Sequence, residues 1–120
     1  MIAFSATVEV ATGLALLGVP AFVAQALLGA ELSVVGIVVA RCFCITLLAL
    51  ALAVWPGRDG ATGAPAFRAM LLYNVLIGLY LTWMGTHWRM GGVLLWPAVA
   101  LHSGVAMLLA LALLGVQDAA

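Results

Sequence analysis

Five polar side chains stand inside stretches that are otherwise apolar. Glu9 lies in IAFSATVEVATGLALLG, Arg41 in SVVGIVVARCFCITLLALALAVW, Tyr73 and Asn74 in AFRAMLLYNVLIGLYLTWMG, and His102 in GGVLLWPAVALHSGVAMLLALALLGV. Together they supply a carboxylate, a guanidinium, a phenol, an amide and an imidazole. A guanidinium does not deprotonate, and at the centre of a membrane helix it costs roughly 2.5 to 3.5 kcal/mol. Arg41 therefore needs a partner, and Glu9 is the acid expected to pair with it. His102, Asn74 and Tyr73 are expected to satisfy the remaining donors and lone pairs, because a half-satisfied buried network is worse than an apolar core.

Depth supports the grouping. At a rise of ~1.5 Å per residue, Arg41 lies ~12 Å from the start of its stretch and Glu9 ~14 Å from the end of its own, with Asn74 and His102 at ~17 Å. Three chemistries suit such a slab. It could be a structural network that fixes helix order. It could be a binding site for a small polar or amphiphilic molecule, with Arg41 as an anion clamp and Glu9 or His102 as a protonation switch. It could be an acid/base pair of His102 and Glu9. Catalysis is the weakest of these, since Ser103 points about 100° away from His102 on a helix and no nucleophile is set beside it. No catalytic residue is assigned.

Cofactors fare no better. His87 and His102 sit in different stretches at different depths, so neither a metal nor a bis-histidine haem is expected. The stripe Tyr73, Ile77, Tyr80, Met84, His87 has helical spacing and reads as packing or lipid contact. Cys42 and Cys44 fall about 200° apart on a helix. They lack the CxxC spacing of redox or zinc pairs and read as small hydrophobes.

The elements that must position these groups follow from composition. Of 120 residues 68% are hydrophobic and 7% charged, with a mean hydropathy of +1.32, against roughly 25% charged in soluble domains. The chain reads as an integral membrane protein of one domain. With zero net charge, no lysine and four arginines, it has no basic stripe, and nucleic-acid binding is excluded. The N-terminus lacks a basic region and a cleavage site, so it reads as a retained helix.

Spans are expected at about 2–18, 33–55, 66–86 and 91–116. Pro20 interrupts the first apolar run and suits a first helical turn. It predicts a short interfacial helix over 20–28, with a single kinked helix over 2–28 as the alternative. Gly29 is a natural stop and Ser33 a natural N-cap. The run PGRDGATGAP is the exposed loop, and Pro97 either kinks the last helix or marks its first turn. Trp83, His87 and Trp88 gather where an aromatic belt would sit. Gly78 and Gly85 share a face with Asn74 and would let helices approach closely.

Short connections give an all-α, four-helix, up-down-up-down bundle. Arg58 and Arg68 on one side outnumber Arg89 on the other. The positive-inside tendency therefore puts both termini in the cytoplasm, with Glu31 and His87 opposite.

One resemblance spans nearly the whole chain. Glu9 with Thr12 and Gly13, Pro20, Leu28 and Gly29, Arg41, Trp55, Tyr73 and Asn74, then Trp96, Pro97 and Ala98 before His102, form a pattern. It resembles an uncharacterised family of small four-span bacterial inner-membrane proteins with no assigned activity. The resemblance implies a bacterial inner membrane and no substrate. The functional expectation is an accessory or scaffold subunit of a membrane assembly. Its partners are the lipid bilayer and either a membrane protein or further copies of itself. The alternative is a binding protein or oligomeric carrier for a small molecule held at the polar centre.

Overall fold

Five helices and no strand make up the described residues, 2–55 and 63–117, of the computed structural model: α1 (Ile2–Gly18), α2 (Pro20–Leu28), α3 (Val34–Ala53), α4 (Ala64–His87) and α5 (Leu95–Gln117). Arg58 and most of the loop around it lie outside the described residues, so the arginine count for sidedness falls partly outside them as well. Helices α3, α4 and α5 are each long and apolar enough to cross a membrane. Helix α1, 17 residues or ~26 Å at the usual rise, falls slightly short of a ~30 Å hydrocarbon core.

The chain breaks between α1 and α2 with a bend of 116°, so 2–28 is not one kinked helix. Local chemistry explains the break. Pro20 has no N–H to continue the ladder and disfavours helical geometry in the residue before it. Val19 is accordingly non-helical, at φ −134° and ψ 56°. Helix α2 stops at Gly29, which is left-handed at φ 68° and donates its N–H to Gln25 O. Ser33 then caps α3, its Oγ accepting from the Gly36 N–H at 3.1 Å.

Helix α5 starts at Leu95, later than the expected 91, and Pro97 therefore lies in its first turn, where a missing N–H is harmless. The residues before it do another job. Gly92 N–H donates to Leu27 O at 3.1 Å and Leu94 N–H to Ala26 O at 2.8 Å. These carbonyls at the end of α2 have no partner within their own helix, and the connection between α4 and α5 supplies one. A Cβ on Gly92 would run into the Ala26 carbonyl, so only glycine fits there.

Helix α1 lies along α3 and α4 along α5, whereas α1 and α4 meet only over a narrow seam. The four long helices come together most tightly at one end. There Ile2 and Ala6 of α1, Ala51 and Val54 at the end of α3, Met70 of α4, and Val105 and Leu109 of α5 form the buried core. The molecule measures 50 × 30 × 18 Å. Most of α3 is uncovered, since only Cys44, Leu47 and Ala51 of that helix are buried.

Candidate functional site

Polar side chains collect on the seam between the two helix pairs. Ser5, Glu9 and Asn74 are 1%, 1% and 2% exposed, and they are the buried polar residues among those described. Helix α1 brings Ser5 and Glu9 to one face at a spacing of four residues, with Gly13 one turn further on. Helix α4 brings Asn74, with Tyr73 flanking it. Helix α5 brings His102, half-buried, close to α4 because Gly78 has no side chain. A Cβ there would meet Ser103 Oγ at 3.4 Å and His102 Cβ at 3.7 Å.

Asn74 is the hub. Its Nδ2 donates to Met70 O at 2.8 Å and to Ser5 Oγ at 3.4 Å, while its Oδ1 lies 2.8 Å from His102 Nδ1. A peptide carbonyl can only accept, so the Met70 contact orients the amide with nitrogen toward α4's own backbone and oxygen toward the imidazole. Nδ1 of His102 is then the protonated nitrogen, and Nε2 carries a bare lone pair. The Tyr73 ring packs edge-on against His102, with centroids 5.9 Å apart and planes at 77°. Its hydroxyl faces the Glu9 carboxyl. Glu9 Oε1 is buried without a hydrogen-bond partner.

The expected Glu9–Arg41 ion pair does not form. Arg41 is exposed and belongs to the uncovered side of α3. The reason is register. A side chain at Gly13 would meet Leu48 at 3.1 Å and Cys44 O at 3.4 Å, so α1 rests on residues 44–48 of α3. Ile2 and Ala6 cluster with Ala51 and Val54, so the two helices run in opposite directions. Glu9 therefore sits roughly nine residues of α3, or ~13 Å, from the level of Arg41. Depths counted from the helix ends assumed that α1 stops where α3 starts. The interposed α2 and residues 29–33 let α3 extend past the end of α1.

Of the five expected site residues, the structure brings together Glu9, Tyr73, Asn74 and His102 and leaves Arg41 outside. Ser5, which its spacing of four residues puts on the face of Glu9, joins them through its contact with Asn74. His87 is remote from the centre, stacked on Trp83 at 5.5 Å in an exposed aromatic group that includes Trp88. Cys42 and Cys44 are free thiols, and Cys44 Sγ donates to Arg41 O at 2.9 Å. No cluster of three or more His, Cys, Asp or Glu suited to a metal occurs among the described residues.

Two surface features adjoin the centre. An open groove of about 240 Å³ between α4 and α5 is lined by Asn74, Gly78, Thr82 and Ser103 with apolar neighbours. An apolar gap of about 320 Å³ between α1 and α5 is lined by Phe4, Val105, Leu108 and Leu109. Val105 follows His102 by three residues and so continues its face along α5. The chain matches no known protein family, no curated protein and no solved structure.

Proposed function

We propose that the chain is an accessory or scaffold subunit of a membrane assembly, its long helices running up-down-up-down and α2 lying at one membrane interface. The observation that carries this reading is Arg41. It is exposed about seven residues into α3, ~10 Å along the helix, among the uncovered Val34, Val38 and Ile45. A permanent cation at that depth is costly unless something answers it. Among the described residues, Glu9 is buried on the seam and Glu31 precedes α3, so neither is set at the level of Arg41. An acid on a helix of a second membrane protein fits this requirement. The arginine excess at the Arg58 and Arg68 end supports a bacterial inner membrane with both termini cytoplasmic.

The test is a photo-crosslinking residue at Val38 or Ile45 in the full chain in its membrane, with Leu79 as a control position. The expected result is a discrete protein adduct from Val38 and Ile45, absent from Leu79 and lost in Arg41→Gln. If those positions yield only lipid adducts, Arg41 reaches a lipid phosphate along its own stem and the subunit reading fails.

A second reading, binding of a small amphiphile at the polar centre, is favoured by the unpartnered Oε1 of Glu9. Of the hydroxyls in the centre, Ser5 bonds to Asn74 and Tyr73 faces Glu9, so neither is hydrogen-bonded to His102 in the way an activated nucleophile would be.

A further inference from the structure

The polar centre has acceptors to spare and no nitrogen-bound proton left over. Both Asn74 Nδ2 protons and the His102 Nδ1 proton have acceptors, and the Tyr73 hydroxyl is turned to Glu9. What remains open is Glu9 Oε1, on a side chain 1% exposed, and the Nε2 lone pair of His102. Both want a donor, and one belongs to an acid. The cation that could have neutralised that acid, Arg41, faces away from the centre. An anionic head group would therefore meet a carboxylate with no guanidinium beside it, and like charges in a low-dielectric setting repel strongly.

The apolar gap between α1 and α5 adds the second half of a site. Val105 lies one turn from His102 on the same face of α5, and Phe4 lies five residues before Glu9 on α1, so the gap sits about one helical turn along the bundle from the polar centre. Phe4 and Leu108 are exposed, and the gap is open toward the acyl chains. A ligand matching both halves has a protonated amine at one end and a hydrocarbon chain at the other.

We propose that the centre binds the ammonium head of a lipid-soluble amine. Glu9 supplies the counter-charge, His102 Nε2 accepts a hydrogen bond, and the tail lies between Phe4, Val105, Leu108 and Leu109. This deepens the binding reading of the centre and is independent of the subunit reading, which concerns Arg41.

The test is a titration of the full chain, in zwitterionic phosphatidylcholine nanodiscs, with dodecylamine and separately with dodecanoic acid. The readout is the ¹⁵N signal of His102 Nε2. Dodecylamine is expected to give a saturable upfield shift as the lone pair accepts a proton donor, and dodecanoic acid is expected to give none. Glu9→Gln should weaken the amine response at least tenfold, and Arg41→Gln should leave it unchanged. If Glu9→Gln fails to fold, Leu108→Trp fills the gap while keeping every polar group and should abolish the response. Equal titration by the acid, no saturable shift with the amine, or undiminished binding in Glu9→Gln or Leu108→Trp overturns the proposal.

Discussion

Asn74 Oδ1 and His102 Nδ1 stand 2.8 Å apart across the α4–α5 contact, and this one bond decides which imidazole nitrogen is left basic. The orientation is inherited from the backbone. Met70 O holds the amide nitrogen, the amide oxygen holds the Nδ1 proton, and Nε2 is bare as a result. A third group that orients a histidine is the usual way proteins choose a tautomer.

Asn74→Leu should therefore do two separable things. It removes three hydrogen bonds. At roughly 0.6 kcal/mol per bond between membrane helices, it should lower stability by about 2 kcal/mol in reversible unfolding from mixed micelles. It should also release the tautomer, so that ¹⁵N spectra show His102 in both neutral forms. A single retained tautomer in Asn74→Leu would mean that another group orients the ring.

Gly92→Ala should open the contact between α2 and the α4–α5 connection, because the new methyl collides with the Ala26 carbonyl. Two backbone hydrogen bonds are at stake, worth roughly 1 to 3 kcal/mol together. Amide exchange at Gly92 and Leu94 should accelerate while α5 beyond Pro97 stays protected. Gly104→Ala is the matched control, since nothing lies within 4 Å of a Cβ there. It should be neutral or stabilise by up to ~1 kcal/mol through helix propensity.

Met70→Ala should be more damaging than Leu79→Ala. Met70 is fully buried in the core that joins all four long helices, and truncation leaves a void lined by Ala6, Val105 and their neighbours. A loss of about 2 kcal/mol or more is expected. Leu79 is 65% exposed, so in a bilayer acyl chains would refill the space and its truncation should change the unfolding midpoint little. Equal losses in the two variants would mean that the face bearing Leu79 is covered by protein.

The contrast between what the residues announced and what they concealed has a physical basis. Pro20, Gly29 and Ser33 act within one turn of themselves, through a missing N–H, a left-handed backbone and a hydroxyl cap, so helix starts and stops could be read directly. The gathering of Tyr73, Asn74 and His102 followed from helical spacing and from Gly78. The relation between Glu9 and Arg41 is different in kind, because it depends on how far one helix slides along another. That offset is set by the Gly13 contact with Leu48 and by the length of chain between α1 and α3. Counting depth from the ends cannot register it. The late start of α5 was hidden for a similar reason: the partners of Gly92 and Leu94 are 65 and 68 residues away in the chain, on α2.

The backbone bonds from Gly92 and Leu94 to the end of α2 have a mechanical corollary. They fasten one helix pair to the other at the end opposite the Met70 core, so the pairs are pinned top and bottom, with the Ser5–Asn74 hydrogen bond crossing the seam between. Sliding one pair along the other would have to break the contacts at all three levels together.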